Sequence, residues 1–179
     1  MNFKYIFHTA FGYAAILYSI NPVNIREILL PSPYKKDVLK KTTGYRTDKN
    51  ISHPQALLVA KSIQDYFLGK TKSFPSVFFE WMYFGNITRL EKEVLYATAS
   101  VPYGQTASYS DIARAVGRQK AYRFVGNTLA KNPFPVIIPC HRIIKSDGSC
   151  GEFGGGKALK MKMLAIEKVI PSASGSPSR

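Results

Sequence analysis

Cys140 stands in the run Pro139-Cys140-His141-Arg142, where a thiol, an imidazole and a guanidinium follow one another. A thiol acts as a nucleophile through its thiolate, so its pKa must fall from about 8.5 through a neighbouring base or cation. On an extended segment adjacent side chains point opposite ways, so His141 reaches the Cys140 sulfur only through a bridging water or if the chain turns there. The alternative is a buried structural cysteine. Leu159, Met163 and Glu167 recur at i, i+4 and i+8, which places a carboxylate on the apolar stripe of a helix, with Lys157, Lys160 and Lys168 on another face. A carboxylate held against a core needs a partner to offset its desolvation. Bonded to one nitrogen of His141, Glu167 would fix the ring's tautomer and leave the other nitrogen toward the sulfur; a glutamate bending out to solvent is the second reading. Cys140 and Cys150 with three scattered histidines do not supply a metal site, and both thiols are expected free, as in a reducing compartment.

A second constellation lies on the helix read from about Lys120 to Lys131. Val125 and Leu129 share an inward face, while Arg123, Gly126, Asn127 and Ala130 lie opposite: small residues around one long cation. Such a face approaches a nucleic-acid groove closely; a solvated helix with an ordinary surface arginine fits the pattern equally well. The charge points the same way. Lys plus Arg number 25 against 11 acidic residues, a net +14, so a polyanionic partner is expected, nucleic acid before membrane surface. The excess is spread over both halves of the chain, and no single tail explains it.

These groups need elements to hold them. With 179 residues and 45% hydrophobic content the chain can bury one core or two small ones, which excludes disordered and fibrous classes for all but the tail. Lys4 to Ser19 predicts two antiparallel strands turning near Gly12, and Ile25 to Leu30 a third. Residues 5 to 25 carry no charge, but His8, Thr9, Gly12, Asn21 and Pro22 interrupt them, so neither a membrane helix nor a secretory segment is expected. Pro31 to Asn50 reads as a solvated loop. From Ser52 as N-cap, Ala56, Val59, Ile63 and Phe67 predict an amphipathic helix that Gly69 stops. Val77 to Phe84 reads as an extended connection packing across both halves, and the domain boundary falls near residue 85. Beyond it come a helix over Leu90 to Ser100, a second from the capping box Ser108/Asp111 to Val116, and the helix ending at Lys131; the last two form a helix-turn-helix. A final helix covers Lys157 to Val169, and Pro171 to Arg179 reads as a disordered tail.

Taken together, these residues resemble the O6-alkylguanine-DNA alkyltransferase family. Ile138 to Arg142, preceded by Asn132-Pro133 and followed by a glycine-rich loop, is similar to its active-site signature, and Pro102-Tyr103-Gly104, Ser108-Tyr109, Arg123, Val125-Gly126 and Glu167 fall at similar spacings. The likeness is strong over residues 85 to 168 and weaker before, where Phe67, Gly69 and Phe74 resemble the end of the family's N-terminal domain.

The resemblance implies an α+β protein in which residues 1–84 form a small sheet-plus-helix domain and 85–170 a mainly helical, winged helix-turn-helix-like catalytic and DNA-binding domain. It implies irreversible transfer of a methyl or other alkyl group from O6 of guanine, and possible action at O4 of thymine, to Cys140. His141 acts through water, Glu167 orients it, Tyr109 donates to the purine and Asn132 braces the turn. Arg123 takes the place of the flipped nucleotide, with Tyr122, Gly126, Asn127, Thr128 and Lys131 along the DNA. Pro135, Ile143, Gly151, Phe153, Gly154 and Gly155 form the base pocket. The implied partner is duplex DNA bearing O6-alkylguanine, met by a monomer in the cytoplasm, or in the nucleus of a eukaryote, without cofactor or metal. Gly154 replaces a usual serine, Ala130 a frequent arginine, and Tyr122 and Phe124 smaller residues; the N-terminal half has no cysteine for the zinc some relatives bind. A damage-binding protein without transfer and a helix-turn-helix regulator are the alternatives, the first opposed by the presence of Cys140.

Overall fold

The computed structural model describes residues 1–47 and 53–169. Ser52 and the tail from Pro171 lie outside the described residues. The fold is α+β, in two compact units: residues 1–85 together with 133–137, and residues 86–132 together with those from 138 onward.

In the first unit, β1 (Asn2–Thr9) and β2 (Gly12–Ser19) form the expected antiparallel hairpin, with Thr9 paired to Gly12. Gly12 has φ +118°, and a Cβ there would lie 2.3 Å from the Ser32 carbonyl oxygen, so only glycine fits the turn. β3 (Asn24–Ser32) pairs antiparallel with β2.

The loop expected over residues 31–50 instead contains α1 (Lys35–Lys41) and β4 (Arg46–Thr47), which pairs parallel with β1 and completes the order β3-β2-β1-β4. Val38 is the one buried residue of α1, so the helix has no apolar period to read; Asp37 in its first turn accepts from Ser32 Oγ at 2.7 Å, and Lys40 and Lys41 sit at its C-terminal end. α2 (Pro54–Phe67) starts with His53 as N-cap and Pro54 in the first turn, and buries Ala56, Val59, Ala60, Ile63 and Phe67.

The run read as extended at Val77 to Phe84 contains a helical turn, α3 (Phe78–Trp81). Its signal was the aromatic spacing: Phe74, Phe78 and Trp81 sit at i, i+4 and i+7, with successive ring centroids 6.3 and 5.4 Å apart. Pro133–Ile137 belongs to this unit: Ile28 N donates to the Pro133 carbonyl at 2.8 Å, and Phe134 packs edge-on to Phe84.

The second unit opens with α4 (Arg89–Ala99), whose Thr88/Glu91 capping box went unread in the sequence. β5 (Ala107–Ser108) runs parallel to β6 (Ile143–Ile144). α5 (Tyr109–Ala115) begins at the expected Ser108/Asp111 capping box and ends at Gly117, φ +68°. α6 (Tyr122–Ala130) follows after a six-residue turn and packs against α4 and α5, with Val125 and Leu129 buried. A single 3₁₀ turn, Cys140–Arg142, leads into β6, and α7 (Gly156–Ile166) closes the unit.

The Ser108 hydroxyl accepts from Asp111 N at 3.0 Å while the Asp111 carboxylate accepts from Ser108 N at 2.9 Å. Ser108→Ala is expected to cost about 1 kcal/mol of stability, read from the shift of a urea unfolding curve at constant slope.

Candidate active site

Residues advance about 120° each in a 3₁₀ turn, so Cys140, His141 and Arg142 diverge from one short segment instead of alternating. The chain does turn at the cysteine. Arg142 N bonds to the Pro139 carbonyl at 2.8 Å to close the turn.

Glu167, at the C-terminal end of α7, is 2% exposed and gathers the divergent side chains. Its Oε1 lies 2.7 Å from His141 Nε2. Arg142 donates from Nε to Oε2 at 2.9 Å and from Nη2 to Oε1 at 3.1 Å, and its Nη1 donates to the Val101 carbonyl at 2.7 Å. Gly104 N donates to Oε2 at 3.1 Å.

Burial would raise the Glu167 pKa, but the hydrogen bonds from His141 and Arg142 outweigh it and bring the group down to about 2. The glutamate is therefore ionised, and Nε2 of His141 is the protonated nitrogen that donates to it. Burial holds the His141 pKa below its ordinary 6.5 despite Glu167, so the ring is neutral.

Cys140 is 8% exposed and opens onto a cavity of about 660 Å³. Asn132 Nδ2 donates to the Ile138 carbonyl at 2.9 Å and to Cys140 Sγ at 3.2 Å. Burial pushes the Cys140 thiol up; the Asn132 hydrogen bond, the Lys160 charge and backbone N–H groups pull against it without cancelling it. Tyr109, first residue of α5, lines the same cavity, and burial followed by negative charge at Cys140, Cys150 and Glu152 raises its pKa, so the phenol stays a donor. Gly151 makes room for it: with φ +63°, a Cβ there would stand 2.9 Å from the Tyr109 hydroxyl.

Of the residues singled out in the sequence, Tyr122, Gly126 and Asn127 of α6 and Gly151, Phe153 and Gly154 of the loop also line this cavity. Arg123 and Lys131 are exposed on the surface outside it. Thr128 does not belong with them. It is 5% exposed, because at i+3 from Val125 it falls on the inward face.

Pro135, Ile143 and Gly155 are likewise not among the lining residues: Ile143 is fully buried in β6, Pro135 belongs to the segment that joins the first unit, and Gly155 is exposed beyond the wall. Ala130, of the small-residue face, and Glu152 also line the cavity, and Ser110, Leu129, Lys145 and Ser146 line it and were missed. Lys160, read on a face apart from the apolar stripe, is wholly buried; it stands i, i+3, i+7 with Met163 and Glu167, which is the stripe signal that should have placed it. Among the described residues no three His, Cys, Asp or Glu side chains cluster as metal ligands.

Fold and site together define a helix-turn-helix protein built around one cavity-facing cysteine. The family model described as 6-O-methylguanine DNA methyltransferase, DNA binding domain, matches residues 89–169. A relative from Methanothermobacter thermautotrophicus, a methylated-DNA–protein-cysteine methyltransferase, is 42% identical over 86 residues, 48% of this chain and about half (48%) of its own length. The constitutive enzyme of the same name from Bacillus subtilis is 33% identical over 127 residues, 69% of this chain and 74% of that protein. Among solved structures, the Mycobacterium tuberculosis O6-methylguanine methyltransferase superposes with a TM-score of 0.71 at 26% identity, covering 94% and 93% of the two chains. The chain belongs to the methylated-DNA–protein-cysteine methyltransferase family.

Both buried titratable groups make acid destabilising. His141 is neutral in the fold and protonates in the unfolded chain below 6.5; Glu167 contributes stability that is complete above 4.5 and lost as pH falls toward about 2. Glu167→Gln removes the counter-charge of Arg142 and is expected to cost about 3–5 kcal/mol at neutral pH and to flatten the pH dependence of stability between pH 4.5 and 2, measured by urea unfolding across that range.

Proposed function

We propose that the protein repairs DNA by transferring an alkyl group, methyl above all, from O6 of guanine in duplex DNA to its own Cys140, once per molecule. O4 of thymine is a second acceptable donor. The observation that carries this reading is the Cys140 sulfur at the floor of an open cavity, with the neutral imidazole of the next residue tied to an ionised glutamate.

In this reading the thiol proton passes through a water to His141, whose tautomer Glu167 fixes. The sulfur attacks the carbon attached to O6, the S–C bond forms as the C–O bond breaks, and the electron pair stays on guanine O6. The Tyr109 phenol donates to the purine as that charge develops, so guanine ends with one proton in place of the alkyl group. A thioether is a poor leaving group, which limits the protein to one turnover.

An O6 substituent inside the stack does not present its back side to the thiolate, so the nucleotide has to be flipped, at a cost of a few kcal/mol. Arg123 fills the vacated space, and Tyr122, Gly126, Asn127 and Lys131 lie along the backbone. The net charge of +14 provides a sequence-independent grip that weakens with salt. The second unit carries transfer and DNA contact. The protein works as a monomer, in the cytoplasm or in a eukaryotic nucleus.

Incubation with a duplex containing O6-methylguanine is expected to add one methyl group to the protein, located on Cys140 by peptide mass mapping. Cys140→Ala is expected to bind the same duplex and gain nothing. Wild-type protein that binds but gains no mass would be a damage-binding protein, and a sequence-specific footprint on undamaged DNA would make it a regulator.

A further inference from the structure

Lys160 has no exposed surface, and its ammonium donates to the Ile143 carbonyl at 2.5 Å. That carbonyl lies three residues beyond Cys140, and α7, which bears Lys160, packs on the Cys140–Arg142 turn. A buried ammonium served by a neutral carbonyl carries a charge that no carboxylate within ion-pair distance offsets among the described residues. The nearby cation of the same cluster is already committed: Arg142 spends its donors on Glu167 and the Val101 carbonyl. His141 is neutral.

The negative charges that act on this ammonium are those of Cys150 and Glu152 on the pocket loop and of Cys140 on the turn. The same three groups act on the Tyr109 phenol of α5. Glu152 is exposed at the cavity, whereas both sulfurs are buried.

We propose that Lys160 is the counter-charge toward which the Cys140 sulfur ionises when its proton leaves, and so a positioning residue of the transfer. The inference rests on Cys140 as the acceptor. In the resting protein Asn132 and Lys160 act together on the sulfur, one by a hydrogen bond and the other by charge, against the burial that favours the neutral thiol. When the carbon arrives the thiolate charge is consumed in the S–C bond. Burial lowers the Lys160 pKa, while negative charge at Cys150, Cys140 and Glu152 raises it, so the two titrations are linked.

The test is a thiolate titration by absorbance near 240 nm in protein without DNA, in a Cys150→Ser background so that one thiol reports. Lys160→Met is expected to move the Cys140 titration upward by about one pH unit or more, equivalent to about tenfold less thiolate at neutral pH. Single-turnover transfer should slow in proportion and recover at high pH, while Lys160→Arg stays close to wild type. Superposable titrations of folded Lys160→Met and its parent would overturn the proposal. Should Lys160→Met not fold, the reciprocal measurement decides. The Lys160 ammonium, followed by NMR at its Cε, is expected to titrate lower in Cys140→Ser than in the parent, and an unchanged titration would overturn the proposal. Because neither titration involves DNA, a protein that shows the coupling but transfers no methyl group would refute the repair reading alone.

Discussion

The buried carboxylate of Glu167 is the group on which the second unit's chemistry turns. It lies at the end of α7, is almost without exposed surface, and takes hydrogen bonds from His141, Arg142 and Gly104. Its charge costs heavily in desolvation, and the arrangement is stable because a full guanidinium and an imidazole N–H answer it at short range. The consequence reaches the sulfur indirectly. By fixing His141 and Arg142, Glu167 fixes the 3₁₀ turn between them and Cys140, so the thiol has a set direction into the cavity.

Much of this was legible from residue types and spacing. The Pro-Cys-His-Arg run, the carboxylate on the apolar stripe of the last helix and the Ser108/Asp111 cap are local patterns, and each has a physical reading that needs no neighbour in space. What escaped was tertiary. Arg142 was read as a cation for Cys140, but it is claimed by Glu167 because the turn sends it the other way. Lys160 was set on a face apart from the apolar stripe, although its spacing to Met163 and Glu167 pointed inward. Thr128 failed for the mirror reason: a polar residue was put on the surface of α6 when its angle to Val125 set it in the core. In the first unit α1 escaped because one buried valine makes no period.

The cavity is shaped as much by missing side chains as by present ones. Gly151 leaves the Tyr109 hydroxyl its space, and Gly126 lies beside the same ring, where a Cβ would sit 3.9 Å from it. Gly154 has nothing within 4 Å of where its Cβ would stand, so the loop is open at that position. Backbone, not side chain, therefore forms that part of the wall.

The five residues Pro133–Ile137 leave the second half of the chain to join the first unit and then return just before the cysteine. The two units are thus joined covalently at three points, after residues 85, 132 and 137, and the sequence is not a pair of beads on a string. A fragment cut at residue 86 would carry Phe134, Val136 and Ile137, all buried in the whole protein, without the β3 and Phe84 partners that this segment meets. Joining halves from two relatives would therefore require the segment of one to fit the β3 and Phe84 partners of the other.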